Sequence, residues 1–348
     1  MRKATRKIKL KNLYIGGDSP VTIQSMLNAK NGDALGAISQ SKRLEEAGCD
    51  IIRLAVTDED SIRVIKALKK EISMPIVADI QFDYKIAISA IEAGVDKIRL
   101  NPGNIGNEEK VRAVVEKAKE AGVPIRVGVN TGSVSLDIAE KFGRYSSEGL
   151  VEEALRHIKI LENCDFYDIV VSLKASDVKT MIESYRLMAE KRDYPLHLGV
   201  TEAGTSYAGT VKSAVGIGTL LAEGIGDTIR VSLTDDPVEE IRAAKEILKA
   251  LDLRSGGAKL VSCPTCSRCS INLIEIAKEV EKRLESVEKE IKVAVMGCVV
   301  NGPGEARGAD IGITGSNGEG LIFKDGKVIA RVPEKDIVDA LFLEIEKL

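Results

Sequence analysis

No stretch of this chain approaches the ~20 consecutive apolar residues of a membrane-spanning helix. The basic N-terminus, Met1 to Lys11, runs into no apolar segment of the kind a secretory signal needs. Both absences point to a cytoplasmic protein whose thiols stay reduced. Histidine is scarce, with only His157 and His197 present. That leaves no H-E-x-x-H and little room for a histidine-rich metal centre. His157 is expected on the surface of a helix. His197 opens a strand, which puts it at the wrong end of a barrel for catalysis. There is no P-loop and no G-x-S-x-G, and no G-x-G-x-x-G follows the first apolar run, which argues against an open dinucleotide-binding sheet. The formal net charge of −3 excludes a general nucleic-acid or anionic-membrane binder. Tryptophan is absent while charged residues reach 30%, a composition that leans toward thermophilic ion-pair networks.

What the chain does have is alternation. Eight short β-branched runs recur: Val21–Met26, Ile51–Val56, Pro75–Ile80, Lys97–Leu100, Pro124–Val129, Asp168–Leu173, His197–Val200 and Thr228–Leu233. Between them lie segments of 3.6-residue periodicity, such as Ala34–Ala47, Ser61–Glu71, Tyr84–Ala93 and Glu108–Ala121. Several of these end in Ala-Gly, where glycine caps a helix at positive φ. Eight strand–helix units over roughly 250 residues predict an α/β fold of the (β/α)8 TIM-barrel type. A linker over Leu253–Lys259 separates domains 1–253 and 254–348. The second is expected to be a small α+β unit. It has an amphipathic helix over Ser270–Glu290, strands at Ile291–Met296 and Ile311–Thr314, a hairpin turning at Asp325-Gly326, and a final helix from Glu334.

Catalytic groups in such barrels sit at the C-terminal ends of the strands. Those ends carry Arg53, Asp79, Gln81, Arg99, Asn101, Arg126, Asn130, Lys174, Glu202, Arg230 and Ser232. Five cations (Arg53, Arg99, Arg126, Lys174, Arg230) converging on one mouth need a compensating anion, and Asp79 with Glu202 is not enough. A substrate with two phosphates balances the count, and the planar guanidinium suits phosphate. In the second unit, Cys263-x-x-Cys266-x-x-Cys269 and Cys298 form a soft ligand set that fits an iron–sulfur cluster or zinc. Glu305 and Arg307 follow Cys298 in the same loop. Cys49 and Cys164 stand apart as small buried residues.

Five motifs, taken together, resemble the family of 4-hydroxy-3-methylbut-2-en-1-yl diphosphate synthases, the iron–sulfur enzymes of the non-mevalonate isoprenoid pathway. They are Ala78-Asp79-Ile80-Gln81-Phe82-Asp83-Tyr84, Arg99-Leu100-Asn101-Pro102-Gly103-Asn104-Ile105-Gly106, Gly199-Val200-Thr201-Glu202-Ala203-Gly204, Ser262-Cys263-Pro264-Thr265-Cys266, and Gly297-Cys298-Val299-Val300-Asn301-Gly302-Pro303-Gly304-Glu305. The similarity runs from about Val21 to the C-terminus. The resemblance implies a barrel followed by a sulfite-reductase-like cluster domain. Its substrate would be 2-C-methyl-D-erythritol 2,4-cyclodiphosphate, opened by two electrons with loss of water. It implies a [4Fe–4S] cluster held by Cys263, Cys266, Cys298 and Glu305, whose carboxylate leaves the iron when substrate binds. Reduced flavodoxin or ferredoxin would supply the electrons, in a homodimer whose cluster domain caps the partner's barrel. Glu202 is the expected proton donor. The chain departs from the family pattern at Gln81, where histidine is usual. It also departs in the threonine-free stretch Gln24–Ala29 and at the extra thiol Cys269.

Overall fold

The computed structural model describes residues 2–254, 256–299, 308–316 and 318–348. Two compact units divide the chain, Met1–Arg254 and Ser255–Leu348.

The first unit begins with a hairpin, β1 (Ile8–Leu10) and β2 (Leu13–Ile15), that periodicity did not predict. Eight parallel strands follow: β3 (Thr22–Met26), β4 (Ile51–Val56), β5 (Ile76–Ile80), β6 (Lys97–Leu100), β7 (Ile125–Asn130), β8 (Ile169–Lys174), β9 (His197–Leu198) and β10 (Thr228–Ile229). Their order is β8-β7-β6-β5-β4-β3-β10-β9. A parallel bridge from Val171 to Leu196 closes the ring between β8 and β9. The expected barrel is therefore present, with its last two strands trimmed to two residues each.

Local chemistry explains where the helices start. Side chains of Asp33, Asp58, Asp83, Asn107, Ser146, Asp177 and Asp236 each accept a hydrogen bond from a first-turn N–H. Such caps satisfy donors that no carbonyl can reach. At the other ends Gly48, Gly94 and Gly122 take positive φ, as the Ala-Gly pairs predict. One continuous apolar core joins the outer strand faces to the helices. The hairpin has a separate task. Leu10, Leu13 and Ile15 pack on Ile51 and Val77 near the starts of β4 and β5, and so close the N-terminal end of the barrel.

The second unit is a five-stranded sheet in sequential order: β11 (Lys259–Ser262), β12 (Lys292–Met296), β13 (Ile311–Ser316), β14 (Glu319–Lys324) and β15 (Lys327–Pro333). The first three strands are parallel and the last three antiparallel. Asp325 and Gly326 both have positive φ, the signature of the tight turn their sequence announces. β11 replaces the end of the expected linker. The amphipathic helix is shorter than its pattern, Leu273–Leu284, and buries Leu273, Ile276, Val280 and Leu284. The last helix covers Ile337–Ile345 after a 3-10 turn.

Candidate active site

A cavity of about 320 Å³ opens at the C-terminal ends of the barrel strands. Its lining comprises Arg53, Asp79, Gln81, Arg99, Arg126, Asn130, Ser172, Lys174, Thr201, Arg230 and Ser232. All five cations expected at the mouth are there. Period-two alternation explains it: residues two apart on a strand share a face, so each strand sends its last inward side chain to the same place.

Asp79 is the hinge of this constellation. One carboxylate oxygen lies 3.5 Å from Arg53 Nε and the other 3.2 Å from Arg99 NH1. Burial pushes its acidity down, but the charges of Arg53, Arg99 and Arg126 outweigh this and hold its carboxyl below the usual value. Arg99 also donates to the Gly128 carbonyl at 3.0 Å. Two glycines make room for cations. A Cβ on Gly128 would stand 2.6 Å from Arg99 Nε, and one on Gly199 would stand 3.3 Å from Lys174 Nζ and 2.8 Å from the Arg230 carbonyl. Met26 Sδ lies 2.9 Å from Arg53 NH2 and 3.7 Å from Arg230 NH1. Burial, then mutual repulsion, pushes the Lys174 ammonium well below its ordinary value. Arg53 is likewise pushed down to about 10, with burial the largest cause and Asp79 opposing it. Among the described residues Asp79 is the only carboxylate lining the cavity. The cup is therefore short of negative charge, and a polyanionic small molecule would supply it.

One expectation needs correction, the surface placement of His157, and two expected site residues, Asn101 and Glu202, are not among those lining the cavity. Asn101 does not line the cavity: it is buried, and its side chain accepts from Gly103 N at 3.0 Å, capping the short helix Pro102–Ile105. Glu202 does not line it either, being exposed after β9 with a backbone φ of 53°. Its neighbour Thr201 does. His157 is not on a helix surface but is 2% exposed, with Nε2 3.1 Å from Glu153 Oε1. Glu153 Oε2 in turn accepts from Ser135 N and Oγ, at 2.8 and 2.6 Å. The 3.6 period alone could not say which helix face that histidine occupied.

Sequence reasoning missed Ser172, Thr201 and Glu240. Ser172 precedes Lys174 by two on one strand, so the alternation rule could have found it. Glu240 carries no such signal. It is 4% exposed, sits in the first turn of the helix Pro237–Ala250, and is 3.5 Å from Arg230 NH2. It, and not Glu202, is the second carboxylate paired with the cup's cations.

Beneath the cup lies a second polar set. Lys97, His197, Gln24, Thr22 and Thr228 are buried, and each of them, like Arg126 of the lining, has a side-chain polar atom with no hydrogen-bond partner. Thr22, Thr228 and His197 face one another in register across β3, β10 and β9. His197 is thus inside the barrel but outside the cavity lining, at the strand start its sequence position suggests.

In the second unit Cys263 and Cys298 follow β11 and β12, which are parallel neighbours with Ser262 opposite Val295. Both thiols therefore leave the same edge of the sheet. Cys263 Sγ accepts from Gly297 N at 3.3 Å. Cys266 is exposed, and N–H groups of Arg268 hold its thiol below the usual value. Cys269 Sγ lies 3.2 Å from the Ile271 carbonyl, against the apolar core and beside Gly297, the residue before Cys298. Among the described residues no three His, Cys, Asp or Glu side chains converge at metal-holding distances. Glu305 lies outside the described residues. The donor types suit a soft, thiolate-bound metal group. Cys49 is buried, with its thiol pushed up to about 12 by burial and donating to the Ile51 carbonyl at 3.2 Å.

A closed parallel barrel with a cation-lined cup at its strand ends is the layout of barrel enzymes acting on small anionic molecules. Solved structures agree on the barrel. A dihydropteroate synthase from Xanthomonas albilineans superposes with a TM-score of 0.51 at 12% identity, over 71% of this chain and 97% of that one. One from Coxiella burnetii gives 0.51 at 14%, over 71% and 99%. At these identities they speak for the fold alone. The particular family comes from sequence. Residues 5–245 match the GcpE TIM-barrel domain and residues 259–347 the GcpE protein C-terminal domain, so the chain belongs to the GcpE family. It is 59% identical over 347 residues to a 4-hydroxy-3-methylbut-2-en-1-yl diphosphate synthase (flavodoxin) of Clostridium tetani, covering 100% of this chain and 99% of the relative. With the protein of that name from Clostridium perfringens the identity is 60%, at the same coverage.

Proposed function

We propose that this protein is a 4-hydroxy-3-methylbut-2-en-1-yl diphosphate synthase that takes its electrons from flavodoxin. It opens the ring of 2-C-methyl-D-erythritol 2,4-cyclodiphosphate. One carbon–oxygen bond to phosphate breaks, two electrons and two protons enter, and a hydroxyl leaves as water. The observation that carries this reading is the cup itself: five cations around a cavity of about 320 Å³ with one carboxylate among its lining. A compact ligand with two phosphates fits that charge and size.

In this reading Arg53, Arg99, Arg126, Lys174 and Arg230 grip the phosphates. Asn130, Ser232 and Gln81 add neutral hydrogen bonds, with Ser172 and Thr201 beside them. Asp79 aims Arg53 and Arg99 and is not itself a phosphate partner, since two anions would repel. Asn101 acts through the cap that shapes the loop after β6. Glu202, exposed on the loop that carries Thr201, is the proton donor for the departing hydroxyl in this reading. Cys263, Cys266 and Cys298 with Glu305 would hold a [4Fe–4S] cluster, which supplies the electrons when bound. The unit 1–254 is thus the substrate domain and 255–348 the cluster domain. No helix among the described residues is long and apolar enough to cross a membrane, which is in keeping with a cytoplasmic enzyme. A homodimer completes the proposed assembly, and sedimentation of the purified protein tests it.

The test of the function is anaerobic purification followed by absorption and paramagnetic resonance spectra before and after dithionite, with iron and sulfide counts. About four irons per chain, and a reduced signal that changes when the cyclic diphosphate is added, are expected. Zinc without iron would overturn the reading.

A further inference from the structure

We infer that Glu240 is a positioning residue that aims Arg230 into the substrate cup and locks the loop carrying Ser232; the inference rests on reading the cup as the diphosphate site. Glu240 does not touch the cavity. Its carboxylate stands behind the wall and joins three parts of the barrel. Oε2 accepts from Ser25 Oγ at 2.9 Å, on β3. Oε1 accepts from Leu233 N at 3.1 Å, in the loop after β10, and faces Arg230 NH2 at 3.5 Å.

The arrangement answers a physical problem. Arg230 must stay beside Arg53 and Lys174, and like charges in a buried site push a long side chain outward. A guanidinium that is free to rotate also loses entropy on meeting a ligand. An anion inside the cup would hold Arg230 but compete with phosphate. An anion behind the wall holds it and leaves the front free. Arg230 Nε has no partner within the protein, and the side chain lines the cavity. Asp79 holds Arg53 and Arg99 from within the lining, whereas Glu240 acts from outside it. The Leu233 bond extends the effect, because Ser232 sits between Arg230 and the fixed amide.

The experiment is a double-mutant cycle on the anaerobic holoenzyme, with Glu240→Gln, Arg230→Met and both together. Affinity for the cyclic diphosphate and for inorganic pyrophosphate is read by calorimetry, and KM and kcat are read separately. Glu240→Gln is close in shape; its amide oxygen can accept from Leu233 N while its NH2 donates to Ser25 Oγ, so it should fold with unchanged iron content. We expect it to weaken binding about 10-fold, seen in KM more than in kcat. In the Arg230→Met background it should weaken binding by less than about 2-fold, because the group it aims is gone. Losses that multiply across the two sites, or wild-type affinity in Glu240→Gln, would overturn the inference. A lowered melting temperature with unchanged affinity does the same, since it assigns Glu240 to stability alone. If the unmodified protein binds neither ligand, it is the reading of the cup that falls. Binding by the unmodified protein with multiplying losses sinks only the role of Glu240.

Discussion

Replacing Asp79 by asparagine removes the carboxylate between Arg53 and Arg99 while keeping its shape. At 3.5 and 3.2 Å, a unit pair at an effective dielectric near 20 interacts by about 5 kcal/mol. Much of that offsets the cost of burying the charges. The net loss when one partner of a buried pair is removed is about 3–5 kcal/mol. Asparagine still offers Arg99 an acceptor, so the barrel should lose about 3 kcal/mol. The two units need not unfold together, so the assay is amide hydrogen exchange along β4 and β5, which reports the barrel alone. Pyrophosphate should stabilise the variant more than the unmodified protein, because it restores the missing negative charge. The pH dependence has a definite sign. Asp79 is held below its ordinary value, so its contribution is complete above about pH 3.9 and is lost as pH falls through the lower folded-state value. The asparagine variant should lack that acid-side loss. A cost below about 0.5 kcal/mol, the level of an ordinary surface change, would refute the reasoning.

Other outcomes follow from particular contacts. Lys97→Met should leave the barrel as stable or raise its stability by about 1–2 kcal/mol, since it removes a buried ammonium with no partner; a fall of that size in hydrogen exchange along β6 would count against it. Gly128→Ala places a methyl where Arg99 Nε stands, and should weaken diphosphate affinity about 10-fold or more without unfolding the chain; calorimetry decides. Cys269→Ala should keep about four irons per chain because its thiol faces the Ile271 carbonyl, whereas Cys263→Ser should not; iron and sulfide counts separate them.

The barrel, its strand positions and the five mouth cations were legible because each depends on neighbours along the chain. Alternation along β4 to β8 points every second residue inward, and an Asp, Asn or Ser cap before each following helix marks the strand-to-helix turn. The thiol pairs were legible for the same reason, as were Asp325 and Gly326. β9 and β10 came out shorter than their apolar runs: Thr228 and Ile229 pair with both neighbours, while His197 and Leu198 pair with β10 and an isolated bridge from Leu196 meets β8.

What periodicity could not decide was which polar groups share a space. His157 and Glu240 lie on helices whose sequence reads as ordinary surface, and each turns inward only because of what the helix packs upon. Asn101 has the chemistry of a ligand but spends its oxygen on a cap. Glu202 has the motif yet is not among the residues lining the cavity, while Thr201 beside it is. By itself the sequence determined the strand–helix rhythm and the cations each strand end presents, because those follow from bond geometry and local hydrogen bonding. Only the tertiary structure decided which carboxylates neutralise them, because Asp79 must reach across two neighbouring strands and Glu240 must reach back from a helix over β3 and β10. Such pairings are set by the closure of the ring and by the cost of leaving a buried charge alone.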